Sequence, residues 1–252
     1  MQGLVVSVHY DDLLRLTLPF NAPHFDRIIL VTSPTDEMTT KVGREFANVE
    51  VVQTDAFYAN GAVFNKGAAV EEATKRLDPE QWTVIFDADI VMPRSMPPEN
   101  LCTENLYSPW RINVKTLEEF RRITDANPFD LTGRARVPDA AFAGYFQLFH
   151  PCAAALRARP WYGVKWRHAG NCDTDFSAKF GPANCHRLNF DVIHLGPAGN
   201  NWFGRATPRW CDEPGAKERI SPRVADFLQT QMYINRRRNR GLPGPDEQLP
   251  QA

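Results

Sequence analysis

The opening third of the chain alternates short apolar runs with amphipathic ones, and few architectures accept that pattern. Residues 4–8, 28–32, 49–52 and 82–86 are continuous apolar stretches rich in Val and Ile. Strands take this form when helices cover both faces of a parallel sheet. The segments between them have helical character. Ser33, Pro34 and Asp36 read as an N-cap, a first-turn proline and a first-turn acid. Met38, Val42 and Phe46 then recur at helical spacing as a buried stripe. Residues 64–77 place Val70, Ala73 and Leu77 on one face, with Glu71 to Lys75 and Glu72 to Arg76 as i,i+4 pairs on the other. Residues 11–20 form the weakest helix, because Pro19 cuts it short. Strand and helix repeated in this way predict an α/β fold, a doubly wound sheet with its ligand site at the carboxyl ends of the strands. The residues just past each strand therefore carry the most weight: His9 and Tyr10, Thr32 and Ser33, Thr54 and Asp55, and the segment holding Asp87 and Asp89.

Beyond residue 92 the pattern is less regular. Thr116 and Glu119 open a capped helix reaching Arg122, residues 141–149 read as an aromatic-rich strand, 173–180 as a short helix and 190–195 as a strand. Val224, Phe227, Leu228 and Gln231 give one face of a last helix running into Arg236, Arg237, Arg238 and Arg240. Residues 241–252, rich in Pro and Gly, read as a flexible tail. The expected division is a catalytic domain at 1–210, with a nucleotide half at 1–92 and an acceptor half at 93–210, then a helical extension with a basic end at 211–240 and the tail. With 43% hydrophobic residues the chain can bury a full core, and its net charge of -1 leaves any attraction to nucleic acid or membrane to a local patch. No run approaches the ~18 apolar residues of a membrane helix. The five cysteines are odd in number and include no CxxC pair. A cytoplasmic protein is the expectation, in a host's cytoplasm if the chain is viral.

In the segment Val84, Ile85, Phe86, Asp87, Ala88, Asp89, residues two apart face the same side of an extended chain, so both carboxylates address one ligand. Two close carboxylates need a cation between them. Hard oxygen ligands suit Mg²⁺ or Mn²⁺, and such an ion would neutralise a diphosphate leaving group. An Asp-rich turn after a strand is the structural alternative. The segment resembles the DxD motif of GT-A glycosyltransferases, which follows a hydrophobic strand after the nucleotide-binding half, and the likeness extends over residues 4–205. It implies a GT-A fold and transfer of a sugar from a nucleotide-sugar donor, a UDP-sugar ahead of a GDP-sugar, to an acceptor hydroxyl. Phe64, Asn65, Lys66 and Gly67 are similar to the family position where a basic residue approaches the donor, and Lys66 is otherwise an ordinary helix-start lysine. Thr32, Thr54 and Asp55 stand as base and ribose contacts by their strand-end positions, where turns use the same residue types. The run from Asn171 through Asp173 and Asp175 to Phe176 looks like the acidic ED-x-D-F pattern of inverting members, with Cys172 where that pattern has Glu. On that likeness Asp173 is the general base and Asp175 orients the acceptor, whereas helix capping alone would explain one Asp. His194, late and just before a Gly/Pro/Asn loop, looks like the third metal ligand of many of these enzymes and would tilt the choice toward Mn²⁺. Arg205 would close a lid over the diphosphate.

Other readings stay open. The same Asp87 and Asp89 look like the first motif of haloacid-dehalogenase phosphatases, with Asp87 as nucleophile, although that family opens its fold with this strand and here three strand-helix units precede it. Residues 7–11 contain no glycine, so the phosphate loop of a sugar nucleotidyltransferase or a dinucleotide site is missing. A non-catalytic sugar-nucleotide binder would carry the same residues. His168, Cys172, Cys185 and His186 form a conceivable zinc set whose spacing matches no standard finger. The acceptor is open between a polysaccharide or other glycan and a hydroxymethylated pyrimidine in DNA, as in small viral transferases that modify DNA. Arg236 to Arg240, with Trp161, Tyr162, Lys165, Trp166 and Arg167, would suit a DNA path, and the aromatics would otherwise be core.

Overall fold

The computed structural model describes residues 1–95, 100–127, 129–137, 142, 144–196, 201–205, 207 and 209–210. The expected C-terminal helix, the arginine cluster and the tail lie outside them. Among the described residues, no helix is long and apolar enough to cross a membrane.

Strands β1 (Gln2–Val6), β2 (Arg27–Thr32), β3 (Val49–Gln53) and β4 (Thr83–Asp87) pair in parallel in the order β3-β2-β1-β4. They are joined by α1 (Asp11–Asn21), α2 (Glu37–Gly43) and α3 (Lys66–Thr74). This is the expected α/β arrangement. It holds because alternate residues of each strand serve opposite faces. Val5, Ile28, Leu30, Val84 and Phe86 pack under α1 and α2, while Leu4, Val6, Ile29, Val31 and Ile85 pack under α3. Each such buried side chain contributes about 1.5–3 kcal/mol.

The sheet then continues through the second half. β7 (Phe146–Phe149) adds antiparallel to β4, β6 (Leu106–Val114) adds antiparallel to β7, and β8 (Cys185–Leu195) adds parallel to β6. β5 (Ile90–Val91) closes the edge against β8, giving eight strands among the described residues. Two reversals restore direction, so β1, β4, β6 and β8 all point their carboxyl ends to one edge. Helix α4 (Leu117–Thr124) follows β6, and its Thr116 cap accepts from Glu119 N at 3.1 Å. Helix α5 (Cys172–Ala178) precedes β8.

Several local expectations are corrected. The cap of α2 is Asp36, whose side chain accepts from Thr39 N at 3.1 Å, so Ser33 and Pro34 precede the helix. The later start turns Met38 outward, 48% exposed, while Val42 stays fully buried. Helix α1 runs through Pro19, because Arg15, whose carbonyl loses its partner there, is exposed and can use water. Glu71 is buried rather than on a solvated face. It accepts from Trp161 N at 2.8 Å and Tyr162 N at 3.2 Å and pairs with Arg159. β6 was not legible because Pro109 interrupts it, at a register shift between Ser108 and Trp110. β7 begins at Phe146, later than residue 141, and β8 begins at Cys185, earlier than residue 190.

Candidate active site

The carboxyl ends of β1, β4, β6 and β8 and the N-termini of α3 and α5 converge on a cavity of about 370 Å³. Ligand sites of doubly wound sheets form at this edge. Asp87 is the last residue of β4, and the chain turns through Ala88 so that Asp89 precedes β5. Both line the cavity.

Sheet register brings His194 to the same wall. Ile90 of β5 pairs with His194 of β8, and Leu195 N donates to Asp89 O at 2.8 Å. His194 Nε2 thereby lies 3.5 Å from Asp89 Oδ2. Its Nδ1 is 3.1 Å from the carbonyl oxygen of Gly196. A carbonyl only accepts, so Nδ1 carries a proton and the ring turns Nε2 toward Asp89. Asp89 Oδ1 is buried and has no hydrogen-bond partner among the described residues. Burial raises the Asp89 pKa and the Asp87 charge adds to this, against the opposing pull of His194. The orphaned buried oxygen of Asp89 beside the His194 imidazole and Asp87 could take a cation, and a mixed oxygen and imidazole set would suit Mn²⁺.

Lys66 is the first residue of α3, which Asn65 caps by accepting from Ala68 N at 2.9 Å. Its ammonium pairs with Asp87 Oδ1. Burial works against the Lys66 charge, and the neighbouring Asp87 more than offsets it, so the pKa is raised. With Lys66 on Asp87, no three His, Cys, Asp or Glu side chains among the described residues form a ready ion cage.

Asp173 faces the cavity from the first turn of α5 and accepts from Gly144 N at 2.6 Å. Asp175 does not line the cavity. It accepts from Trp166 Nε1 at 2.7 Å and lies 3.6 Å from Lys165. Thr32, Thr54 and Asp55 sit at strand ends outside the cavity lining. Thr32 donates to Asp36, Thr54 donates to Glu72 at 2.7 Å, and Asp55 precedes a short helical turn. Arg205 is corrected: it does not point at the cavity but is sealed against α1, donating to both carboxylate oxygens of Asp12 and to His9 O at 2.8 Å, with Tyr10 5.0 Å beneath it.

The zinc set is not assembled. Cys172 Sγ contacts Ala169 O, Cys185 Sγ contacts Ser177 O, and His186 packs on Tyr107. Trp161 and Tyr162 are core residues, 7% and 1% exposed, so they line no nucleic-acid path. Arg111 and Trp202 also line the cavity wall. Arg111 was hidden with β6. Trp202 belongs to the loop ending in Arg205 that was expected to act as a lid, with no role of its own assigned.

No protein-family model and no curated protein sequence matches the chain. Among solved structures, one similar chain is glucosyl-3-phosphoglycerate synthase from Mycobacterium tuberculosis in complex with Mn²⁺, uridine diphosphate and glucosyl-3-phosphoglycerate. The identity is 12% and the TM-score 0.43, over 97% of this chain and 81% of that one. The inositol-1-phosphate CTP transferase from T. maritima is 9% identical with a TM-score of 0.43, over 78% of this chain and 90% of that one. 4-Diphosphocytidyl-2C-methyl-D-erythritol synthase from Anaerococcus prevotii is 13% identical with a TM-score of 0.38, over 90% and 95%. Likenesses this loose assign no activity, which is argued below from the site's own residues.

Proposed function

We propose that the chain is a metal-dependent glycosyltransferase of the GT-A type, moving a sugar from a UDP-sugar to an acceptor hydroxyl. The observation that carries this reading is the cavity itself. Asp87, Asp89 and His194 share one wall, and Asp173 stands on another with its carboxylate held by Gly144 N. A divalent ion held by the first three would neutralise the diphosphate as the glycosidic bond breaks. Lys66 supplies a second positive charge beside it. Asp173 would take the proton from the acceptor hydroxyl. Asp175 positions the loop of Trp166 through its hydrogen bond and touches no substrate in this scheme.

The test is release of UDP or GDP from a panel of nucleotide sugars with Mn²⁺, with a glycan and hydroxymethylated duplex DNA among the acceptors. Turnover should vanish with EDTA and in Asp87→Ala. Donor binding without turnover on any acceptor would make the chain a binder. Aryl-phosphate hydrolysis lost in Asp87→Asn, without use of nucleotide sugars, would make it a phosphatase.

A further inference from the structure

One charged side chain on the cavity wall has no part in that scheme. Arg111 stands on β6, and its guanidinium lies 4.8 Å over the ring of Tyr145. Its Nε is buried and has no hydrogen-bond partner among the described residues. A guanidinium cannot shed its charge, and the terminal N–H groups of Arg111 have no hydrogen-bond partner among the described residues, so on a cavity wall they favour an anionic acceptor. Neighbouring side chains add positive charge. Arg187 donates to the Tyr145 hydroxyl at 2.9 Å and to Pro109 O at 2.8 Å, and lies 4.7 Å over Trp110. Arg136 lies over the same Trp110 and is already paired with Asp191. An anion is the partner this wall would recognise.

We propose that Arg111 is the anion-binding group for the acceptor, and that the acceptor is a small hydroxylated molecule bearing a phosphate or a carboxylate; this deepens, and for the word acceptor rests on, the transferase reading above. Adjacent residues tie the two acceptor functions together. Gly144 N holds the carboxylate of Asp173, and the next residue, Tyr145, lies under Arg111. A hydroxyl at Asp173 and an anion at Arg111 therefore belong to one small molecule, and a cavity of about 370 Å³ admits one of monosaccharide size. The donor diphosphate falls instead to the ion at Asp87, Asp89 and His194 and to Lys66. β7 separates Arg111's strand from β4, which ends in Asp87, while β6 pairs directly with β8, where Arg111 stands opposite Val192, two residues before His194; UDP titration therefore distinguishes an acceptor anion from the donor diphosphate. The planar fork of arginine suits both phosphate and carboxylate.

The experiment has two arms. Inorganic phosphate and UDP are titrated separately into wild type, Arg111→Gln and Arg111→Lys by calorimetry. Glucose, glucose 6-phosphate and gluconate are then compared as acceptors with a UDP-sugar and Mn²⁺. Arg111→Gln should weaken phosphate binding by at least about tenfold, and Arg111→Lys, charged but unable to fork, should fall between. One of the anionic acceptors should outperform glucose, which tells phosphate from carboxylate, and that preference, read in KM, should collapse in Arg111→Gln. Equal phosphate affinity in wild type and Arg111→Gln overturns the proposal. So does a loss of UDP affinity as large as the loss of phosphate affinity, which would put Arg111 on the donor. If none of the three small molecules supports turnover while the glycan or DNA does, the small-anion acceptor is overturned and the transferase reading stands, and the phosphate titration still decides whether Arg111 holds an anion.

Discussion

Arg205 and Asp12, 193 positions apart, meet with both guanidinium nitrogens on both carboxylate oxygens, and their side chains are only 2% and 3% exposed. Arg209 repeats the arrangement on the adjacent Asp11. The segment after β8 is thereby tied to the start of α1 beside the cavity. Neither half of such a pair can be read alone from sequence.

Removing Arg205 leaves Asp12 buried with only the Trp210 N–H and the nearby charge of Arg209, so Arg205→Met should cost about 3 kcal/mol. Asp12→Leu combined with Arg205→Met should recover most of the loss, because two apolar side chains replace two desolvated charges. Denaturant melts of the three variants measure this. The pair also sets a pH dependence. Burial opposes ionisation of Asp12, but the hydrogen bonds and charge of Arg205, joined by the Trp210 N–H and the charge of Arg209, prevail and lower its pKa on folding. A carboxyl lowered on folding contributes stability that is present above the unfolded pKa and lost as pH falls through the folded one. Wild type should therefore lose more stability than Arg205→Met between about pH 4 and lower pH. Parallel acid-limb curves would contradict this.

Cysteine reactivity tests the packing directly. Cys102 and Cys152 are exposed, whereas Cys172 is buried under α3 with its thiol pushed up to about 12, chiefly by burial. A thiol reagent should label Cys102 and Cys152 quickly in the folded chain, and Cys172 only on unfolding. Peptide mapping after a short exposure reads the order. Early labelling of Cys172 would mean that the start of α5 is open.

The parallel half was legible because each strand is a continuous apolar run and each connection carries helical spacing, so local signal and global fold agree. Asp87 and Asp89 were legible for the same reason, as polar residues ending such a run. What was hidden depends on pairing across long separations. His194 was named from its place before a Gly/Pro/Asn loop, but its contact with Asp89 comes only through the β5 and β8 register; Glu71 becomes a buried acceptor only because residues 159–162 fold over it. Pro109 disguised β6, and with it Arg111. The lid assigned to Arg205 failed because a buried carboxylate on α1 competes for the same guanidinium.

Two glycines make close approaches that the sequence did not advertise. A Cβ on Gly67 would stand 2.2 Å from the carbonyl oxygen of Gly163, a backbone atom that cannot swing aside. Gly67→Ala should destabilise the chain by about 1–3 kcal/mol through overpacking. A Cβ on Gly144 would instead stand 2.5 Å from Cβ of Asp173, pressing on the carboxylate proposed as base. Gly144→Ala should therefore lower kcat more than it lowers the melting temperature. Thermal melts beside turnover assays separate the two effects.

The two aspartates of α5 should behave differently, although they are one turn-mate apart and the sequence motif joins them. Asp173 faces the cavity and accepts from Gly144 N, while Asp175 is turned to Trp166 and Lys165. Asn is nearly isosteric with Asp but cannot take a proton, so Asp173→Asn should lower kcat by about 10²–10⁴, the range for losing a positioned general base. Asp175→Asn keeps an oxygen that can accept from the Trp166 indole and should lower turnover by less than about tenfold, a residual loss in positioning. Its effect should appear instead as a change in Trp166 fluorescence. Equal losses in the two variants would remove Asp173 from the base role.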